Sequence, residues 1–350
     1  MQSYDIVRFG EALQARVHPT PSPVGTEVLL RVTAAGVCHS DLHILDGYFD
    51  LGGGKKLLME ERGMTLPHTL GHETVGEVVA AGPDAAGIET GRSYLVYPWI
   101  GCGGCGICKA GEEQLCLAPR FLGIQRAGGY ADHIIVPHPR YLLDVSDLSP
   151  GEAAPYACSG LTTYSALRKV GAGLEREAVV IIGAGGLGLM ALQIHRAMNG
   201  CRAISVDIDS AKRDAAQRAG AFAAIDGAAP DAVGQIKEAA GGQVWAAIDL
   251  VGAEATARLG LDCLTKGGRL IVVGLFGGAI TLSLPLLPQR ALTLQGSYVG
   301  SLGELQELLA LVRRRRIASI PIHERPLCEA NTALDALRAG TVVGRTVLRG

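Results

Sequence analysis

The sequence offers no membrane span. Its longest apolar run, AVVIIGAGGLGLMAL, is fifteen residues long and broken by glycines, short of the roughly 20 needed to cross a bilayer. The opening MQSYDIVRFGEA has no basic stretch leading into an apolar one, so it lacks both parts of a signal peptide and gives the expectation of a cytoplasmic protein. An excess of one charge is missing too. Lys and Arg number 32 against 34 Asp and Glu, a net charge of −2, so nothing draws the chain to nucleic acid or to an anionic membrane. The one basic run, Arg313 to Arg316, follows the helical pattern ELQELLALV. It reads as a solvated helix C-terminus, where cations are favourable. No internal repeat and no low-complexity tract interrupts the chain.

What the chain does have is cysteine, nine in 350 residues. In a reducing compartment that number argues against a disulfide framework. Four of them, Cys102, Cys105, Cys108 and Cys116, fall within GCGGCGICKAGEEQLC with gaps of two, two and seven. An iron–sulfur cluster fails on spacing, because the bacterial run ends x₃-C-P and here Leu117 follows the last cysteine. Structural zinc fits: it takes four thiolates in a tetrahedron, and C-x₂-C turns deliver them in pairs.

A chain of this length favours about two domains, and it has two textures, with the last fifty residues returning to mixed character. Up to about residue 155 the sequence is rich in Gly, Pro and short alternating runs such as EVLLRVTAAGVC, TVGEVVAAG, SYLVYPWI and YADHIIVP. These predict short strands joined by turns. From about Gly160 apolar runs alternate with helical stretches. Strands are expected at 179–182, 203–206, 223–225, 245–250, 269–273 and 292–296, with helices at 186–198, 210–219, 232–239 and 254–264 between them. That alternation predicts a doubly wound parallel sheet, so the fold class is α/β with a second, mainly β part. Helices are expected again near 302–315 and 329–339.

Gly183, Gly185 and Gly188 form G-x-G-x-x-G directly after a buried-strand run and open a helical pattern, the context in which this motif binds a dinucleotide. The segment Gly183–Gly188, with Gly186 and Leu187 inside it, would cradle a pyrophosphate at the helix N-terminus. Asp207 stands nineteen residues on, at the end of the next strand run. A carboxylate there accepts hydrogen bonds from the adenosine ribose and repels a 2′-phosphate, favouring NAD over NADP. Lys212, one turn further on, flanks that ribose or simply faces solvent. Metal-ligand side chains recur in GVCHSDLH, in LGHETVGEVVAAG and in YACSGLTTY. His72–Glu73 is no zincin motif, because Gly76 stands where a second His is needed.

Six landmarks in order, GVCHSD, GHETVGEVVAAG, the four-cysteine run, CSGLTTY, GAGGLG and VDID, resemble the zinc-dependent medium-chain alcohol dehydrogenases over essentially the whole chain. The resemblance implies a GroES-like catalytic domain at 1–159 carrying a structural-zinc lobe at about 100–117. A Rossmann NAD domain would follow at 160–298, with a return to the catalytic domain at 299–350. It implies two zincs per subunit. Cys38, His72 and Cys158 would hold the catalytic one, Glu73 would be able to approach it, and Asp41 would orient the histidine ligand. Ser40 would hydrogen-bond the substrate hydroxyl, and His43 would relay its proton to solvent. His39 and Arg345 match positions that contact the cofactor pyrophosphate, Thr162 matches one that packs on the nicotinamide, and Val273 is a further cofactor-binding position. Trp99 and Phe121 fall where relatives line the substrate pocket. The activity implied is reversible hydride transfer between a primary or secondary alcohol and NAD, in a homotetramer or a dimer.

A polyol dehydrogenase of the same superfamily usually has a carboxylate where Cys158 stands. A zinc-free quinone reductase lacks the cysteine run and the Cys38/His72 pair. A zinc- and nucleotide-binding protein without turnover would not need the full set Cys38, Ser40, His43, His72 and Cys158. Cys201, Cys263 and Cys328 match no motif and are expected as small buried hydrophobes.

Overall fold

The computed structural model describes residues 1–315 and 317–350. Two sheets organise it. The first is a mainly antiparallel sheet in the order Leu142–Asp144, Ser93–Val96, Glu73–Ala81, Val28–Gly36, Arg345–Arg349 and Ile322–Pro326, with His133–Val136 also pairing with Val28–Gly36. Val28–Gly36 buries its apolar residues and turns Arg31 outward. Two register shifts along it, at Leu29/Leu30 and Val32/Ala34, bend the sheet as β-bulges do. The last strand of the chain closes against Ala35 and Gly36, so residues 345–349 complete a sheet begun near the N-terminus.

The second sheet has six parallel strands in the order Ala223–Asp226, Arg202–Asp207, Ala178–Ile182, Ala246–Asp249, Arg269–Val272 and Thr293–Gly296. All five residues of Ala178–Ile182 are buried. Val179 and Ile181 join one core and Val180 and Ile182 the other, as a strand covered by helices on both faces requires. Strand order reverses between Ala178–Ile182 and Ala246–Asp249, and it is outside the carboxyl ends at such a switch point that sheets of this kind bind their ligands. The hairpin Tyr48–Gly52/Lys55–Leu58, a two-stranded sheet of its own, lies against Gly277 and Gly278 in the loop that follows Arg269–Val272.

The expected strands and helices of the second half lie within two residues of those observed. A small sheet of Gln2–Ile6, Gln14–Val17 and His68–Thr69 was not legible, because Gln14–Val17 is only four residues long and exposed along its length, so neither face is written as a core. One expectation is corrected. Only Cys263 is a buried hydrophobe; Cys201 and Cys328 are exposed, since one lies in the turn before a strand and the other in a surface 3₁₀ turn. In the basic run, Arg313 is engaged with Asp147 through two contacts of 2.9 Å. Arg316 lies outside the described residues.

Candidate active site

Cys38 ends the bulged strand Val28–Gly36 by two residues and is the N-cap of the helix His39–Asp46. His72 precedes Glu73–Ala81, and Cys158 precedes the helix Ser159–Val170. The folding of these elements brings Cys38, His72 and Cys158 together, with their ligand atoms within 4.8 Å of one another and all three side chains buried. Neither His72 nitrogen has a hydrogen-bond partner, nor has Asp41 Oδ1, although Nδ1 lies within ion-pair distance of that oxygen. Nε2, on the far side of the ring, has no such contact and is costly to bury unless something binds it. Two thiols and an orphaned imidazole nitrogen fit a zinc site with an open position.

Asp41 supports two of these ligands. Its Oδ2 accepts the Cys38 N–H at 2.8 Å and the Tyr130 hydroxyl at 3.0 Å, while Oδ1 lies 3.2 Å from His72 Nδ1. Burial disfavours the charged imidazole, but the Asp41 carboxylate wins and holds His72 well above its ordinary pKa. A hydrogen bond from Cys158 holds the Cys38 thiol well below its ordinary value against the opposing effect of burial, with help from the Arg345 guanidinium. The thiolate favoured at Cys38 and the Asp41 carboxylate behind His72 are negative charges that suit a cation, which would take the place of the proton held on His72.

Glu73 is buried beneath the site and pairs with Arg345 in a two-armed contact, one arm 3.0 Å from Arg345 Nε to Glu73 Oε2. It also accepts the Ser159 N–H at 3.1 Å. Room for this carboxylate comes from Gly36, where a Cβ would sit 2.0 Å from Glu73 Oε2. Arg345 also lies beside Gly186, linking the metal centre to the glycine turn. That turn is tight: a Cβ on Gly188 would fall 2.0 Å from the carbonyl oxygen of Gly183. The helix Gly186–Ala197 begins with no side-chain cap, leaving its first amides for an anion.

Asp207 stands at the end of its strand and accepts Ala184 N–H at 2.7 Å and Asp209 N–H at 2.9 Å. Lys212 lies in the first turn of the next helix and is partly buried. His39 keeps an exposed edge but sits in the cleft, whose burial and the positive charges of Arg345, His43 and Lys212 lower its pKa. Thr162 is buried with its hydroxyl unpartnered, and Val273 is buried at the end of its strand.

Ser40 and His43 share a face of the helix His39–Asp46, being three residues apart. His43 is partly buried, its ring 5.0 Å from Phe49, and burial pulls its pKa below the ordinary value although Cys38 and Asp46 oppose this. Trp99 and Phe121 stand edge to face at 5.4 Å, and Trp99 lies 5.4 Å from the His72 ring. Tyr298, from the end of the parallel sheet, adds a third ring 6.2 Å from Trp99 and 6.4 Å from Phe121. An apolar wall therefore meets the metal centre from both sheets.

Some 30 residues further along the chain from the metal-site His72, the four-cysteine lobe closes on itself. Its ligand atoms lie within 4.8 Å of one another, with Sγ separations of 3.4 Å for Cys105–Cys108 and 3.9 Å for Cys102–Cys108 and Cys105–Cys116. A tetrahedron with bonds of about 2.3 Å has sulfur edges of about 3.8 Å, whereas a disulfide would need about 2.05 Å. Backbone amides pull the Cys102 thiol down to about 6, and burial pushes Cys108 up to about 12. Glu113 anchors the lobe, accepting the Gly101 N–H at 3.0 Å and the Tyr141 hydroxyl at 2.8 Å.

Tyr130, Tyr298 and Glu113 carry no motif, and sequence reasoning missed all three. Tyr298 alone had a signal, a lone aromatic between glycines in GSYVG just after the last parallel strand.

Residues 25–147 match the alcohol dehydrogenase GroES-like domain family and residues 186–314 the zinc-binding dehydrogenase family. The chain is 39% identical over 349 residues to an NAD-dependent alcohol dehydrogenase of Sulfurisphaera tokodaii, covering 99% of each. It is 37% identical over the same length to one of Saccharolobus solfataricus, again covering 99% of each. Among solved structures, it resembles the alcohol dehydrogenase of the archaeon Aeropyrum pernix with a TM-score of 0.90 and 31% identity, covering 100% of both chains.

Proposed function

Since this chain belongs to the zinc-dependent family of medium-chain alcohol dehydrogenases, we propose that Cys38, His72 and Cys158 hold its catalytic zinc and that Ser40 and His43 move the substrate's proton. The enzyme transfers hydride reversibly between an alcohol and NAD, and its cofactors are NAD and two zincs. The observation that carries the site assignment is the buried convergence of two thiols on an unpartnered His72 Nε2.

When bound, zinc supplies a Lewis acid for the alcohol oxygen and NAD supplies the hydride acceptor. Cys102, Cys105, Cys108 and Cys116 hold the second, structural zinc. The amides of Gly183–Gly188, with Leu187 among them, take the pyrophosphate together with His39 and Arg345, and Asp207 takes the adenosine ribose with Lys212 at its flank. Thr162 and Val273 pack at the nicotinamide end. Trp99, Phe121 and Tyr298 exclude water from the reacting carbon, which favours alcohols with an apolar or aromatic body. Glu73 stays on Arg345 and is released toward the metal only when that pairing opens. An absorbance assay for NADH over a panel of alcohols, with NAD and NADP in parallel, tests this reading. No turnover of any alcohol by zinc-replete protein would end it.

Ser40 both donates and accepts, so it passes a proton without ionising. His43, one helical turn on, is the acceptor. Because burial lowers its pKa, His43 stays neutral and able to accept down to a lower pH than an exposed histidine. His43→Gln should slow alcohol oxidation by up to about 10²-fold, the low end for a positioned base. The deficit should lie between that lowered pKa and about pH 7.5, and fade above it as hydroxide takes over. A single-turnover pH profile identical to wild type would make His43 a bystander.

Asp207→Gly should weaken NAD binding and relax the preference toward NADP, by removing the ribose acceptor and the repulsion of a 2′-phosphate. The measurement is kcat/KM with both cofactors. A wild type that already favours NADP would refute the role given to Asp207.

The catalytic part comprises 1–159 and 299–350, and the NAD-binding part 160–298. Thr293–Gly296 is one edge of the parallel sheet and exposes Leu294; Phe276, Leu284 and Leu286 are exposed as well. Such an edge invites pairing with a second copy, which supports a homodimer built into a homotetramer; sedimentation measures this directly. A cytoplasmic location accords with a chain in which, among the described residues, no helix is long and apolar enough to cross a membrane.

A further inference from the structure

Tyr130 is fully buried, and its ring has no freedom to choose a partner. Its backbone N–H donates to Leu70 at 2.9 Å, its carbonyl accepts from Tyr4 at 2.8 Å, and Gly129 N–H before it donates to Gly71 at 2.8 Å. The ring lies against the chain just ahead of His72: a Cβ on Gly71 would come 2.5 Å from Tyr130 Cδ1. From there the hydroxyl reaches Asp41 Oδ2 at 3.0 Å. A buried tyrosine hydroxyl usually finds some partner. This partner is the one carboxylate that touches both the Cys38 backbone and the His72 ring.

Asp41 Oδ2 carries two donors, the Cys38 N–H and the Tyr130 hydroxyl, and Oδ1 is left for His72 Nδ1. We propose that Tyr130 is a positioning residue of the catalytic site, its hydroxyl fixing the rotation of the Asp41 carboxylate so that Oδ1 stays on His72 and Nε2 stays turned toward the two thiols. The proposal rests on the reading that these residues hold the metal. Without the hydroxyl, one backbone amide alone holds Oδ2, the carboxylate can turn about its χ2 axis, and the imidazole loses its fixed support. Partners of a metal-bound histidine of this kind typically change metal affinity or activity by about 10–100-fold when removed.

Tyr130→Phe keeps the ring packed on Gly71 and removes only the hydroxyl. Zinc loss to a chelator from the Cys38–His72–Cys158 site should be about 10-fold faster than in wild type, while the lobe zinc leaves at its usual rate. Cobalt(II) placed at the same site should show shifted visible bands. In the Asp41→Ala background, which leaves no side-chain acceptor, Tyr130→Phe should add nothing further, since residues acting through one another are not additive. Unchanged zinc loss and unchanged cobalt bands would overturn the proposal, as would an undiminished effect in the Asp41→Ala background. A lower melting temperature with an unaltered cobalt spectrum would also overturn it, by making the hydroxyl a matter of packing alone. Wild-type protein with one zinc instead of two would refute the metal site itself, which is a different failure.

Discussion

Cys38→Ser should cut alcohol turnover by about 10³-fold or more and lower the zinc content from two per subunit to one, with the fold intact. A Lewis acid at the reacting oxygen contributes several kcal/mol, and each 1.36 kcal/mol is tenfold in rate. Cys38 is the ligand whose thiolate the surroundings favour most, through Cys158, Arg345 and His72. Serine has a similar shape but at neutral pH offers a hydroxyl where a thiolate is needed. The Cys38 backbone N–H still bonds Asp41, so the helix His39–Asp46 keeps its start. Elemental analysis, circular dichroism and steady-state assays on one preparation check all three statements. Near-normal activity in a variant that retains a single zinc would sink the ligand assignment.

Cys105→Ser acts on the other metal and on stability. Residues 101–117 have little apolar packing to fall back on, as Leu115 and Leu117 are exposed. Cys105 is also the N-cap of the short helix Gly106–Lys109, accepting the Cys108 N–H at 3.4 Å. Structural zinc contributes apparent free energies of about 10–16 kcal/mol in isolated fingers. Here Glu113, Tyr141 and Arg140 still tie down the base of the lobe, so the loss should be local opening, which stops short of the global free energy. Removing even about 3 kcal/mol raises the open population by roughly 10²-fold. Limited proteolysis should then cut within 101–117 about 10²-fold faster than in wild type. Equal cleavage rates, with the lobe zinc gone, would show that the metal does not hold the lobe.

The parallel sheet was legible because strands covered on both faces are written as unbroken apolar runs, as at Ala178–Ile182. The lobe and the glycine turn were legible because their partners are close in sequence. The catalytic ligands were placed by resemblance: Cys38, His72 and Cys158 stand far apart, and no local period announces that bulged strands will bring them together. Tyr130 and Glu113 were invisible for a related reason. Each is an ordinary residue whose importance depends on an acceptor or donor set elsewhere by sheet register. Gln14–Val17 was invisible because its pairing is backbone alone, with no buried side to shape its sequence.

The closing strand Arg345–Arg349 also imposes an order on synthesis. Arg345 meets Glu73 across 272 residues, so at about 5–20 residues per second the ribosome delivers it roughly 15–50 s after its partner. Every strand of the parallel sheet lies between residues 178 and 296, and the nascent chain can finish that sheet while the N-terminal one still lacks its last strand. During this interval Glu73 has no guanidinium to neutralise it, and burying it is unfavourable until Arg345 emerges. The parallel sheet can therefore form ahead of the Glu73–Arg345 pair, which becomes whole only once residues 345–349 are available.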